Sequence, residues 1–315
     1  MKNQIKVVSL FDGMSCGQIA LNRVYKGPIE YYASEIHKPS INVTQFNFPK
    51  TVQLGDVRNI DKKTIKMFLS NVLIFLAGSP CTDLSIAGKK NGMITLDEVD
   101  VTSLKQYLKL KSEGYQFKGE SYLFWEFVRL LKEINPKYFL LENVVLKGNV
   151  KKWEKIISEA VGVEPIRINS SLITAQNRDR LYWTNIPGVT IPENKFINVS
   201  HVIPDSYSGY GIRGVKINET DEKYTPIGTT RKDLKANCLT KSSRTRMVSM
   251  YDGNHRSLTI EECERLQGVD EGYTDVIGVT RKDRYNMLGN GWTIPVIEHI
   301  FSFIPEFKKK KEYSR

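Results

Sequence analysis

The 315-residue chain reads as an α/β fold, a mostly parallel sheet with helices on both faces, joined by a smaller, irregular β-rich region. Three features predict this. Short apolar runs alternate with segments of helical spacing through residues 5–185. Composition then shifts, from residue 187 to 253, toward glycine, threonine, serine, asparagine and lysine, and helical spacing returns at Thr259. The division expected is one domain built from 1–187 with 280–315, and a second from 188–279.

Each element has its own local reason. The expected strands are 5–11, 30–34, 72–77, 138–142, 165–169 and 181–185, runs dominated by aliphatic and aromatic residues, with a shorter strand ahead of Gly55. The clearest helix is 123–134, where Phe124, Phe127, Val128 and Leu131 share a face and Asn135-Pro136 marks the stop. Thr259-Ile260-Glu261-Glu262 forms a capping box for a helix at 259–266, and helices follow at 281–287 and 293–303. In the long segment 89–121, Ser103-x-x-Gln106 caps a further helix with Leu104, Tyr107, Leu108 and Lys111 on one face. Glycines 88, 92, 114 and 119 offer hinges, so this segment is expected to be a mobile lid whose replacement over 95–118 leaves folding intact.

Composition narrows the function. A chain with 40% hydrophobic and 26% charged residues is an ordinary globular protein, and its net charge of +11 points toward a polyanionic partner. Cys16, Cys81, Cys238 and Cys263 form no C-x-x-C pair, which argues against a zinc ribbon or disulfide framework and fits a reducing compartment. No metal site is expected. The apolar stretch 7–11 stops at Asp12, too short for a signal-peptide core, and no run approaches membrane-spanning length. A cytoplasmic protein without membrane contact is expected.

The chemistry gathers at strand ends. Gly78-Ser79-Pro80-Cys81 follows an apolar strand and exposes a thiol at the carboxyl edge of the sheet, where α/β folds bind ligands. Phe11-Asp12-Gly13-Met14-Ser15-Cys16-Gly17 is a glycine-containing turn opening a helix, suited to close backbone approach and to negative charge. Glu35 ends the second strand, where a carboxylate can accept from ribose hydroxyls, and Gly55-Asp56-Val57-Arg58 adds an acid able to accept from an adenine amine. Their order argues for an adenosine-containing cofactor. Leu140-Leu141-Glu142-Asn143-Val144 brings a carboxylate to the edge that carries Cys81, with Arg178 or Arg180 as its counter-ion.

Taken together these motifs resemble the cytosine-5 DNA methyltransferases over nearly the whole chain. The Phe11-Asp12-Gly13 loop, Pro80-Cys81, Glu142-Asn143-Val144 and Gln176-Asn177-Arg178-Asp179-Arg180 stand in that family's order. Arg256-Ser257-Leu258-Thr259 with Glu264-Arg265-Leu266-Gln267-Gly268, and Leu288-Gly289-Asn290-Gly291 with Pro295, complete it. Gly78-Ser79-Pro80-Cys81 is similar to the eukaryotic de novo branch, while the lysine-rich composition fits a bacterial or phage member. The resemblance implies a Rossmann-like class I methyltransferase that takes S-adenosyl-L-methionine and methylates carbon 5 of a cytosine flipped from a specific duplex DNA site. It implies that Cys81 adds to carbon 6, that Glu142 assists at the ring nitrogen and amine, that Arg180 holds the base carbonyl, and that Arg178 orients Glu142. Phe11, Asp12, Gly13, Gly17, Glu35, Asp56, Val57, Pro80 and Asn290 would hold the cofactor.

On this resemblance 188–279 becomes the target-recognition domain. Residues 201–250 carry nine Lys/Arg against five Asp/Glu, and Lys241, Arg244 and Arg246 are the expected DNA contacts, joined by Lys89 from the lid. Lys308 to Lys311 adds a solvated basic tail. A monomer is expected, in a bacterial cell or phage-infected host, with a restriction endonuclease as the further partner. RNA methylation by the same chemistry, a catalytically idle DNA-binding relative, and a folate-dependent pyrimidine modifier with a Pro-Cys nucleophile stand as the rivals.

Overall fold

The computed structural model describes residues 3–80, 84, 92–215 and 225–308. Among them, seven strands form the main sheet: β1 (Ile5–Leu10), β2 (Ile29–Ser34), β3 (Val52–Gln53), β4 (Ile74–Gly78), β5 (Tyr138–Val144), β6 (Ile166–Asn169) and β7 (Asp179–Thr184). Their order is β3-β2-β1-β4-β5-β7-β6, parallel throughout except for β7, which runs antiparallel to β5 and β6. Expected and observed strands agree to within two residues at either end.

The apolar runs are continuous because both faces of this sheet are covered. Alternate residues divide between two cores. Ile5, Val7, Ile74, Leu76 and Leu140 enter one, shared with α1 (Cys16–Val24); Val8, Leu10, Phe75, Ala77 and Leu141 enter the other. Two short helices, α2 (Lys38–Asn47) and α3 (Lys62–Phe68), follow β2 and β3. On the second face lie α4 (Leu104–Ser112), α5 (Phe124–Ile134) and α6 (Lys152–Val161), with Tyr107, Phe127 and Trp153 fully buried.

A four-stranded antiparallel sheet follows, β8 (Ser206–Val215), β9 (Thr225–Thr230), β10 (Met247–Met250) and β11 (His255–Ser257), in the order β11-β10-β8-β9. The chain then returns to the first face through α7 (Ile260–Gln267), α8 (Arg281–Asn290) and α9 (Ile294–Phe301). The Thr259 side chain and Glu262 close the expected capping box, and Gly268 ends α7 in the left-handed region at φ 75°. Val199, Ala236, Leu239 and Val248 share the core that holds α1 and α9, so the small sheet is seated on the large one.

Over 92–121, the described part of the expected lid, the segment packs on the domain. Ser103 does cap α4 as the spacing predicts, accepting from Gln106 N at 3.2 Å. But the segment is docked. Trp125 Nε1 donates to Val101 O at 3.0 Å, and Tyr107 and Lys111 both reach the fully buried carboxylate of Glu126, which Arg129 Nε also meets at 2.7 Å. Gly92 lies against the Trp153 indole with φ 80°, where a Cβ would stand 2.3 Å from Nε1. A buried carboxylate needs those donors, so segment and helix hold each other in place.

Replacing residues 95–118 with a Gly/Ser linker should therefore destabilise the protein by about 3 kcal/mol or more, since each large apolar side chain uncovered is worth about 1.5–3 kcal/mol and Glu126 loses two donors. Urea unfolding measures this; a parental midpoint in the shortened chain would contradict the docked arrangement.

Candidate active site

Strand order reverses between β1 and β4, and in open α/β sheets the crevice beyond the carboxyl ends at such a point is where ligands bind. Among the described residues, the carboxyl ends of β1, β2, β4 and β5, which are expected to carry chemistry, lie along that edge. The β1 loop is tightly wound, with Phe11, Gly13 and Ser15 at φ 55°, 59° and 61°. Asp12 N donates to Ser34 O at 3.3 Å, and Tyr273 OH donates to Met14 O at 2.8 Å, so neighbouring segments pin the turn.

At the end of β5 the carboxylate of Glu142 is held from two sides. Arg180 Nε lies 2.9 Å from Oε1, and Trp292 Nε1 donates to Oε2 at 3.1 Å. Parallel register places Gly78 opposite Glu142, and a Cβ on Gly78 would stand 2.8 Å from Trp292 Nε1, so glycine there leaves room for the indole. Beside it, Asn143 Nδ2 donates to Ser79 Oγ at 3.0 Å and ties the end of β5 to the Ser79-Pro80 step. Cys81 itself, like Lys89, lies outside the described residues.

Arg178 has a different task from the one expected. Its Nη1 donates to Leu239 O at 2.9 Å and Gly289 O at 3.2 Å, so it fastens the second sheet's approach and the end of α8, while the second donor to Glu142 is Trp292. Gln176 and Gln267 extend this buried frame. Gln176 accepts from Leu239 N at 2.9 Å and donates to Leu266 O at 3.2 Å and Gln267 Oε1 at 3.1 Å. Gln267 donates to Gly291 O and accepts from Thr293 Oγ1. Trp292 escaped the sequence reading; its signal is an indole immediately after Gly289-Asn290-Gly291, a motif placed beside the first strand's loop.

The cofactor-type residues separate into several kinds. Glu35 accepts from Gly13 N through Oε2 and from Ile36 N and His37 N through Oε1, each at 2.8 Å. With about four lone-pair sites on a carboxylate, one on Oε2 remains for a sugar hydroxyl. Gly13 and Gly55 have open space where a Cβ would project, and Ser34 Oγ donates to Gly55 O at 2.7 Å, linking the β2 and β3 loops. Asp56 instead forms a forked pair with Arg58, which holds its carboxyl below the usual range. Val57 is buried beneath that turn, Pro80 is half-buried after β4, and Asn290 is exposed at the end of α8. Two assignments are corrected. Gly17 is glycine for packing, since a Cβ would meet Leu76 Cδ1 at 2.7 Å and Tyr31 OH at 3.1 Å. Asp12 faces inward, accepting from Tyr31 OH at 2.7 Å and from Ser15 Oγ.

Beyond Arg180 a cleft of about 650 Å³ is lined by Asn177, Thr230, Asn237, Cys238, Thr240 and Arg244 among others. Lys241 and Arg244 are exposed, as phosphate contacts require. Arg246 is not: its guanidinium stacks 3.8 Å from the Tyr285 ring centroid with Nη1 buried, which makes it a packing residue between the small sheet and α8.

The family model of the C-5 cytosine-specific DNA methylases matches residues 5–99, 111–196 and 174–306. The chain is similar to the type II methyltransferase M1.ScrFI of Lactococcus lactis subsp. cremoris, 26% identical over 98% of this chain and 79% of that protein. It is also similar to the type II methyltransferase M.Bsp6I of Bacillus sp. (strain RFL6), 24% identical over 94% of this chain and 97% of that one. In fold it resembles the Entamoeba histolytica methyltransferase EhMeth, with a TM-score of 0.62 at 16% identity, covering 96% of this chain and 98% of that one.

One titration follows from the β1 loop. Burial pushes the Asp12 carboxyl up from 3.8 to about 6, with hydrogen bonds from Ser15, Ser9 and Tyr31 opposing only part of the rise. A carboxyl raised on folding contributes stability that is complete below its unfolded value and is lost as pH climbs through about 6. Asp12→Asn should thus gain on the parent chain between about pH 4 and about pH 7, by up to about 3 kcal/mol. Urea midpoints of both proteins at the two pH values decide this; a pH-independent difference would contradict a buried, proton-retaining Asp12.

Proposed function

The chain belongs to the C-5 cytosine-specific DNA methylases, and from that membership and the site above we propose how its own side chains carry the reaction. It is a DNA (cytosine-5-)-methyltransferase with S-adenosyl-L-methionine as methyl donor. When bound, the donor supplies an electrophilic methyl group. The observation that carries the reading is the Glu142 carboxylate held between Arg180 and Trp292 at a strand end that Asn143 ties to Ser79.

Carbon 5 of cytosine is too weak a nucleophile to be methylated unaided, and a thiolate adding at carbon 6 makes it enamine-like. Cys81 is that nucleophile; once carbon 5 carries the methyl group it loses its proton, and the electron pair of that C–H bond expels the Cys81 thiolate from carbon 6, leaving 5-methylcytosine and free enzyme. Glu142, presented by its two donors, shares a proton with the ring nitrogen and accepts from the exocyclic amine, and Arg180 contacts the base carbonyl. Arg178 acts at one remove, bracing Leu239 and Gly289 around the pocket. The donor would be held in the β1–β4 crevice by Phe11 and the open backbone of Gly13, with Glu35 for the ribose, Asp56 and Val57 for the adenine, and Pro80 and Asn290 completing the set. The substrate is a cytosine flipped from a specific duplex site, at an unstacking cost of about a few kcal/mol.

Target choice belongs to the region after residue 187, with Lys241 and Arg244 on phosphate; because α7 packs on α8 and Glu264 meets Arg284, its boundary fits better near Leu258 than at 279. The type II relatives support a modification role paired with a restriction endonuclease. No helix among the described residues is long and apolar enough to cross a membrane. A cytoplasmic monomer completes the proposal.

Methylation assays on duplex DNA and transfer RNA in parallel, with bisulfite sequencing of the product, test the reading as a whole. Cys81→Ser should abolish transfer while leaving DNA binding intact, and turnover within about tenfold of the parent enzyme would exclude Cys81 as nucleophile. Glu142→Gln should slow single-turnover transfer by about a hundredfold; an unchanged rate would leave Glu142 a structural role.

For the donor, Glu35→Ala should weaken binding by about 1.5–3 kcal/mol and also loosen the Gly13 turn. Asp56→Ala should cost less, because Arg58 already occupies that carboxylate. Titration calorimetry with S-adenosyl-L-methionine reads both, and the reverse ranking would contradict the placement of the ribose on Glu35.

A further inference from the structure

Two arginines converge on one sulfur. Cys238 Sγ lies 3.5 Å from Arg178 Nη1 and 3.8 Å from Arg180 Nη2, both within reach of a hydrogen bond to sulfur. The segment carrying it is locked to the arginine-bearing segment by main-chain bonds, Ala236 N to Ala175 O at 2.8 Å and Asn177 N to Ala236 O at 2.9 Å. Chance proximity of a loose side chain does not account for such a placement.

Arg180 shows what the sulfur accomplishes. Its Nε meets Glu142 Oε1 at 2.9 Å, its Nη1 donates to Asp179 O at 2.8 Å, and its Nη2 points to Cys238. A planar fork held at all three nitrogens cannot rotate about its stem. Cys238 Sγ also lies 3.5 Å from the Leu239 carbonyl, which accepts Arg178 Nη1 at 2.9 Å on its other lone pair, so sulfur, carbonyl and guanidiniums form one cluster. Burial opposes a thiolate here, yet the two guanidiniums outweigh it and hold the Cys238 thiol below its usual value. By contrast, burial pushes Cys16 and Cys263 up to about 12. The other charged groups about the sulfur are Glu142 beyond Arg180, and Arg231, Lys232, Asp233 and Arg244 on the shared cleft.

We propose that Cys238 is a positioning residue for Arg180, its sulfur serving as the acceptor that fixes the third corner of the guanidinium and couples it to Arg178. The proposal rests on the reading of Arg180 as the contact to the base. Cys238 does not react with the substrate; it sets the plane of the group that does the holding.

The test compares Cys238→Ala, Cys238→Ser and Cys238→Asp in the full chain. Alanine and serine should each lower the single-turnover methylation rate on the order of tenfold, with donor affinity and Tm unchanged, as expected for loss of a charge-assisted acceptor. Aspartate, whose carboxylate offers strong acceptors to both guanidiniums, should recover most of that rate, whereas a packing role would favour serine. Alkylation by iodoacetamide in Cys81→Ser at neutral pH gives a second readout independent of the Cys238 variants. There Cys238 should be modified at least about tenfold faster than Cys16 or Cys263. Parental rates in the alanine and serine variants, an aspartate variant no faster than alanine, or alkylation of Cys238 no faster than of Cys16 would each overturn the proposal. Arg180→Ala run alongside separates the two readings. Parental transfer there overturns the base contact itself, while loss there with parental transfer in the Cys238 variants overturns only the positioning role.

Discussion

A carboxylate at the end of a buried strand has to be given donors, and the satisfaction of Glu142 organises the catalytic edge of this protein. Leaving such a group unpaired costs several kcal/mol. The donors come from opposite ends of the chain, Arg180 on β7 and Trp292 between α8 and α9. Each makes a demand on the fold. β7 must run antiparallel beside β5 so that residue 180 comes level with the strand end, where it pairs with Val144. The segment around Trp292 must lie against Gly78, which carries no Cβ to obstruct the indole.

Buried amides hold that arrangement together. Gln176 and Gln267 bond to each other and to main-chain groups of segments ending at Leu239, Leu266 and Gly291. In a dry interior each such bond is strong and each vacancy expensive, so this kind of network specifies one geometry. Arg178 belongs to the same frame through Leu239 and Gly289. The segment that leads from the small sheet back into the core is therefore tied directly to the arginines of the pocket.

Much of this was legible in the chain. Strand positions followed from apolar runs of the right length, and the Thr259 and Ser103 caps from side chains able to satisfy the first N–H groups of a helix. Glu142, Glu35 and the Phe11–Gly13 turn were marked by their place at strand ends. Other readings gave way to packing. The segment 89–121 looked hinged because of its glycines, yet Gly92 is glycine to make room for the Trp153 ring. Arg246 looked like a phosphate contact from charge alone, but a guanidinium also stacks on aromatic faces, and Tyr285 lies under it. Asp56 was read without weighing Arg58, a forked partner two residues away.

Local chemistry and periodicity, both properties of the order of residues, determined the fold class, the ligand-bearing edge of the sheet and the candidate carboxylate and thiol at that edge. Which arginine meets Glu142 was decided elsewhere. Arg178 and Arg180 are two residues apart and chemically identical, so they share a face of an ideal strand, and only the surroundings into which each projects separates their roles. The same holds for Trp292 and Cys238, whose partners lie 150 and about 60 residues away along the chain. Contacts over such separations depend on how sheets and helices close upon one another, and no local pattern encodes them.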